Sequence, residues 1–257
     1  MPYFTYQSKQ IYYSEAGEGK PLLFLHGNTA SSKMFEPLLP LYTDNFKVIL
    51  IDFLGNGRSD RVEKFPASLW QEWAKQTVAL LEHLYGEKIV EEKVSIAGSS
   101  GGAWAAINAG LIRPDLVDRI VADSFDGRTL HPGFARDLAA ERDRAKQDPA
   151  ARGFYEWCQG PDWETVVDRD TDALLRCAAA GRPLFCRPLE QMKPPVLLMG
   201  SREDPMCRLD LEAEYTAMAA QIPSASVCLF PSGGHPAVLT RAEDAARAVL
   251  AFLTERE

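Results

Sequence analysis

The sequence predicts an α/β protein built on a mostly parallel sheet covered by helices, and two features carry that prediction. Short, almost continuous apolar runs recur along the chain. Amphipathic stretches of helical period separate them, with no internal repeat and no low-complexity linker. Runs of this kind suit strands buried on both faces, as parallel strands are.

Taken in order, the strand candidates are PLLFLH (Pro21 to His26), FKVILID (Phe46 to Asp52), KVSIAG (Lys93 to Gly98), RIVAD (Arg119 to Asp123), PVLLMG (Pro195 to Gly200) and SVCLF (Ser226 to Phe230). Leu69, Trp73, Thr77, Leu80 and Leu84 share one face of a helix that Ser68 is placed to cap. Ala103 to Ile112, Leu209 to Ile222 and Arg241 to Glu255 also suit helices. The rhythm breaks once, because Asp126 to Met192 holds about 65 residues without a good strand. Pro and Gly signals divide it into helices over Gly133 to Gln147, Asp148 to Cys158 and Asp162 to Ala180. The expected organisation is a core domain of residues 1–125 and 193–257, with residues 126–192 inserted as a helical cap.

Composition narrows the partners. A chain of 257 residues with a net charge of -8 is poorly suited to a phosphate backbone or an anionic membrane, since Lys and Arg drive both associations. A small-molecule substrate is the expected partner, with no nucleic acid and no membrane; the oligomeric state is left open. No stretch reaches about 18 apolar residues without a charge, and the N-terminus has no basic start leading into an apolar run. The five cysteines form no CxxC pair, which argues against a disulfide framework or structural zinc. Reduced thiols in a cytoplasmic protein, with no metal and no cofactor, are the expectation.

The run VSIAGSSGGAW places GSSGG as a tight turn between a strand and a helix. A nucleophile held on such a turn needs small neighbours two residues to either side, and Gly98 and Gly102 bracket Ser100 in a G-x-S-x-G frame. A rival frame centres on Ser99 between Ala97 and Gly101, where alanine suits the crowded turn less well. A glycine-rich turn that merely binds an anion is the plainer alternative, but the P-loop lysine and the GxGxxG spacing are missing.

A serine needs a histidine to take its proton, and the histidine needs a carboxylate to hold its tautomer. Of the four histidines, His83 falls within a helix, His131 in the inserted segment and His26 at a strand end. His235 follows the last strand in FPSGGHP, so it can project over the edge of the sheet where Ser100 sits. Asp204, in GSREDPM, follows the PVLLM strand on that same edge, with Glu203 a weaker neighbour. Asp123 ends the RIVAD strand and reaches the same edge, so two acids remain admissible.

HGN at His26 to Asn28, DFLGNGRSD at Asp52 to Asp60, GSSGG at Gly98 to Gly102 and GGHP at Gly233 to Pro236 together resemble, in order, the landmarks of the α/β-hydrolase superfamily. The resemblance covers nearly the whole chain. It implies an eight-stranded, mostly parallel sheet with a cap inserted after the sixth strand, and Ser100, Asp204 and His235 as nucleophile, acid and base. It also implies an oxyanion hole made of the backbone N–H groups of Asn28 and Gly101, and leaves His26 as a loop anchor. Trp104, Phe134, Trp157 and Trp163 are candidate pocket residues, with Phe154 and Tyr155 adding aromatic surface nearby, and Cys207 reads as a buried small hydrophobe. The expected activity is a carboxylesterase-like serine hydrolysis of a small or medium ester or related acyl compound. A carbon–carbon bond hydrolase of diketone-like ring-cleavage products, with Arg182 or Arg187 holding a carboxylate tail, is the alternative. Lyase-like or ligand-receptor relatives of the same fold form a third group.

Overall fold

The computed structural model describes residues 2–86 and 93–255. Eight strands form one sheet: β1 Tyr3–Tyr6, β2 Lys9–Ala16, β3 Lys20–Leu25, β4 Phe46–Ile51, β5 Val94–Ser99, β6 Val117–Asp123, β7 Val196–Ser201 and β8 Ala225–Phe230. Their order is β1-β2-β4-β3-β5-β6-β7-β8. β1 with β2 and β2 with β4 pair antiparallel, and every later pairing is parallel. The sheet is thus the mostly parallel, eight-stranded one that the resemblance implied.

Alternation along the central strands builds two layers of core. Leu23, Leu25, Ile49, Ile51, Ile96 and Ala122 face one way, against α1 (Leu69–Tyr85) and α2 (Gly101–Ile112). Leu22, Phe24, Val48, Leu50 and Ala97 face the other way, against a 3₁₀ segment (Ser32–Leu41) and the C-terminal helix Ala242–Thr254. Each buried Leu or Ile contributes about 1.5–3 kcal/mol, so truncating Leu23 to Ala would cost about 2–5 kcal/mol. Ser68 precedes α1 but its side chain makes no capping bond, contrary to the expectation; only its carbonyl serves, accepting from the Glu72 N–H at 3.1 Å.

Three helices lie between β6 and β7: α3 Phe134–Ala145, α4 Pro149–Gln159 and α5 Trp163–Ala180. Asp148 caps α4 by accepting the Ala150 and Ala151 N–H groups at 2.9 and 2.8 Å, with Pro149 at the first helical position. The segment is tied to the sheet by the Gln159 amide, which donates to the Ala30 carbonyl and accepts from the Gly57 N–H, both at 2.8 Å. Beyond β7 come α6 Leu211–Ala219, the short α7 Ala237–Thr240 and α8, the helix Ala242–Thr254. No described helix is long and apolar enough to cross a membrane, and all five cysteines are free thiols.

Register sets the working edge. Leu25 pairs with Gly98, Ser99 with Asp123, and Asp123 with Met199, so the carboxyl ends of β3, β5, β6 and β7 stop at one level. The loops leaving them carry His26 to Thr29, Ser100, Ser124 to Asp126 and Asp204 to that edge. Such an edge is where open α/β sheets bind ligands.

Candidate active site

Ser100 sits between β5 and α2 with φ 55° and ψ -123°, a left-handed conformation that non-glycine residues seldom adopt. Its neighbours explain how the chain tolerates the turn. A Cβ on Gly98 would stand 2.0 Å from the Gly102 carbonyl oxygen, and one on Gly102 would stand 2.2 Å from that of Leu25. Only glycine fits either position. Ser99 is buried in the strand and donates its hydroxyl to Asp123 Oδ2 at 3.0 Å, whereas Ser100 faces a cavity.

His235 lines the same cavity, and its Nδ1 donates to Asp204 Oδ2 at 2.8 Å. The Asp204 side chain is fully buried; its Oδ1 accepts the Met206 N–H at 2.9 Å, and Oδ2 also accepts the Cys207 thiol at 3.4 Å. Burial pushes this carboxyl up, but the bond to His235, that ring's charge and the two further donors outweigh it and hold it below its ordinary value. Asp123 is bound elsewhere: it accepts from Ser99, Ser124 and the Val238 N–H and makes no hydrogen bond to the His235 ring. Burial lifts it to about 6, against those three bonds. Glu203 is exposed. Among the described residues no hydrogen bond joins Ser100 Oγ to His235, and the two line the same cavity.

The backbone N–H groups of Asn28 and Gly101 have no protein acceptor among the described residues. Gly101 opens α2, where the first N–H groups are necessarily unpaired and the helix dipole is positive. The loop before Asn28 is fixed by His26, fully buried, whose Nδ1 donates to the Gly27 carbonyl at 2.8 Å and whose Nε2 accepts the Phe53 N–H at 3.1 Å. Burial lowers the basicity of that ring, keeping it neutral.

The cavity beside Ser100 measures about 60 Å³, and Trp70, Trp104, Phe125, Phe134, Leu138 and Leu174 give it apolar walls. Phe134, Leu138, Met206 and Cys207 also border a larger groove of about 790 Å³ between α3 and the Pro205 to Asp210 loop. Of the four pocket aromatics expected, Trp104 and Phe134 line the inner cavity and Trp157 and Trp163 do not. Trp157 lies 41% exposed on the outer face of α4, and Trp163 stacks on Tyr155 at 5.8 Å in a separate cluster between the inserted helices. Arg182 and Arg187 are exposed and likewise outside it. Its one lining cation among the described residues is Arg142 on α3, which no sequence motif marks. Trp70 and Asp170 also approach the site unannounced.

The sequence profile of the group described as "Alpha/beta hydrolase family" matches residues 22–249. The chain belongs to this family. A 2-(acetamidomethylene)succinate hydrolase of Mesorhizobium japonicum is 34% identical over 112 residues, 43% of this chain. That stretch spans 37% of the relative's own length. An (E)-2-((N-methylformamido)methylene)succinate hydrolase of Acinetobacter baylyi is 22% identical over 96% of this chain and 95% of its own. Among solved structures, a serine hydrolase involved in carbazole degradation superposes with a TM-score of 0.77 at 20% identity, covering 99% of this chain and 98% of that one. At that identity the likeness speaks to the fold alone.

Within this alpha/beta hydrolase, Asp204, Cys207 and His235 place one ligand atom each within 4.8 Å of the others, a spacing a metal ion could bridge. All three are already joined by hydrogen bonds, since Asp204 Oδ2 accepts from both His235 Nδ1 and the Cys207 thiol. Burial holds the Cys207 thiol well above its ordinary pKa, so it stays protonated and is a poor metal ligand. The arrangement therefore suits proton transfer better than coordination.

Proposed function

We propose that this alpha/beta hydrolase cleaves a small carboxylic ester or related acyl compound, with Ser100 as nucleophile, His235 as general base and acid, and Asp204 as the carboxylate behind it. The observation that carries the proposal is Ser100 on its left-handed turn, facing a cavity that His235 also lines while bonded through Nδ1 to Asp204.

In this mechanism the Nδ1 bond to Asp204 leaves Nε2 as the base that takes the Ser100 proton as Oγ attacks the acyl carbon. The Asn28 and Gly101 N–H groups receive the developing oxyanion. Collapse expels the leaving group, which takes the proton from His235 and leaves an acyl-enzyme. A water deprotonated by His235 then attacks the acyl carbon, and the acid departs as Ser100 recovers its proton. The helices of residues 126–192 act as a cap over this edge, with Phe134 and Leu138 on its inner face.

Size supports a compact acyl group. The cavity beside Ser100, about 60 Å³, is small beside the groove of about 790 Å³ beyond it, so it suits a short acyl chain while the groove can take a larger leaving group. The two methylenesuccinate hydrolases among the relatives fit hydrolysis at an acyl carbon. The carbon–carbon reading looked to Arg182 or Arg187 for a carboxylate tail; both are exposed and outside the cavity, and the basic residue that does line it, Arg142, is bonded to Glu141 and Tyr155. A series of p-nitrophenyl esters from acetate to octanoate tests the proposal. Turnover should be fastest with the shortest acyl chains, and absence of turnover across the series would defeat it.

A further inference from the structure

A carboxylate from the inserted helices reaches the loop that carries Asn28. Asp170, on α5, is fully buried, and its Oδ2 accepts from Asn28 Nδ2 at 2.6 Å. The other end of the same amide is held too, since Asn28 Oδ1 accepts the Trp70 indole N–H at 2.9 Å. Because an indole nitrogen can only donate and an ionised carboxylate can only accept, these two partners fix which way the amide points. Asn28 in turn abuts Gly101 so closely that a Cβ on Gly101 would stand 2.1 Å from Asn28 Oδ1. The two N–H groups assigned above to the oxyanion therefore belong to residues packed against each other, and Asp170 grips one of them.

Arg142 stands behind this contact. Its Nη1 donates to Glu141 at 2.8 Å and to the Tyr155 hydroxyl at 3.0 Å, and its Nη2 lies 3.8 Å from Asp170 Oδ1. With two carboxylates around one guanidinium, Arg142 serves as a counter-ion to Asp170 better than as a receptor for another anion. Burial lifts Asp170 to about 6 while the Arg142 charge and the Asn28 amide oppose the rise, so at neutral pH the group accepting from Asn28 is mostly the carboxylate. A charge-assisted bond of this kind is roughly twice as strong as a neutral one.

We propose that Asp170 is a positioning residue of the active site, holding the Asn28 side chain so that the Asn28 backbone N–H is aimed at the oxyanion. The inserted helices would then complete the catalytic geometry as well as enclose the substrate. The inference rests on the hydrolase reading, in which that N–H stabilises a tetrahedral intermediate. A misplacement of about 1 Å at such a donor can cost about 10²-fold in rate, and its effect falls on the transition state.

The test uses the whole chain with p-nitrophenyl acetate as substrate and phenylboronic acid as the tetrahedral mimic. Asp170→Ala should lower kcat by about 10- to 100-fold with KM changed less than about threefold, and weaken boronate binding in proportion to kcat. Asp170→Asn keeps an oxygen that can accept from Asn28 and should recover most of the loss. Asn28→Ala removes the same bond from the loop side, so the Asn28→Ala/Asp170→Ala double variant should lose little more than the worse single. Should Asp170→Ala not fold, Asn28→Ala carries the same kcat and boronate expectations. Folded variants with wild-type kcat, a loss confined to KM, or losses that multiply in the double variant would overturn the role of Asp170. Wild-type protein that neither turns over the ester nor reacts with a fluorophosphonate would instead defeat the hydrolase reading, and this inference with it.

Discussion

Asp204→Asn is the substitution whose cost the structure lets one work out. Asp204 Oδ1 accepts the Met206 N–H at 2.9 Å, and Oδ2 accepts His235 Nδ1 at 2.8 Å. An asparagine that keeps its oxygen on Met206 turns its NH₂ toward His235. Nδ1 must then accept, the ring proton moves to Nε2, and Nε2 can no longer take a proton from Ser100. Flipping the amide restores the tautomer but sets NH₂ against the buried Met206 N–H, a penalty of about 1–3 kcal/mol, or roughly 5- to 150-fold. Either way the imidazolium loses its negative partner, a defect that reaches about 10⁴-fold in serine triads. Turnover of p-nitrophenyl acetate should therefore fall by between about 10²- and 10⁴-fold, with circular dichroism and melting temperature near those of the wild type. Asp123→Asn, whose hydrogen-bond partners are Ser99, Ser124 and Val238, should lose less than about tenfold. A folded, active Asp204→Asn beside a folded, inactive Asp123→Asn would refute the assignment of the acid.

Three further outcomes are expected. Gly102→Ala puts a Cβ 2.2 Å from the Leu25 carbonyl and 2.7 Å from that of His26, so urea denaturation should show a loss at or above the top of the ~1–3 kcal/mol range for overpacking; an unchanged midpoint would contradict the turn geometry. Phe134→Ala should widen the inner cavity and shift the ester preference toward longer acyl chains, while Trp157→Ala, on the outer face, should leave the chain-length profile as it was. Asp123 is raised in the fold from 3.8 to about 6, so its stabilising contribution is complete below about pH 4 and is lost as pH rises through about 6. Relative to Asp123→Asn, the wild type should therefore lose about 3 kcal/mol of unfolding free energy between those limits, and a difference independent of pH would contradict the assigned environment of Asp123.

Most of the parallel sheet was legible because strands buried on both faces write unbroken apolar runs, and PLLFLH, FKVILID and PVLLMG each became a strand within a residue or two. The inserted helices were legible from Pro149, Gly160 and Gly181, which stand at or just beyond their ends. The first hairpin was not placed by pattern. β1 and β2, at one end of the sheet, each bury a single residue, Phe4 and Ile11, among exposed and half-exposed ones, and their turn uses Gln7 and Ser8 at φ 48° and 66°, where glycine or asparagine would have signalled it. At the site, Ser100, Asp204 and His235 could be nominated because each follows a readable strand. Asp170 could not, since the 142 positions separating it from Asn28 are closed only by the tertiary fold. Trp157 and Trp163 looked like pocket residues by composition alone; which way a helix turns its aromatic side chains depends on its packing partners.

The central claim is that Ser100 is the nucleophile, and covalent capture tests it most directly. Wild-type protein incubated with a fluorophosphonate, digested and mapped by tandem mass spectrometry should carry the adduct on Ser100. Ser99→Ala should label comparably, and Ser100→Ala should stay unlabelled while remaining folded. An adduct on Ser99, or labelling that persists in Ser100→Ala, would contradict the account.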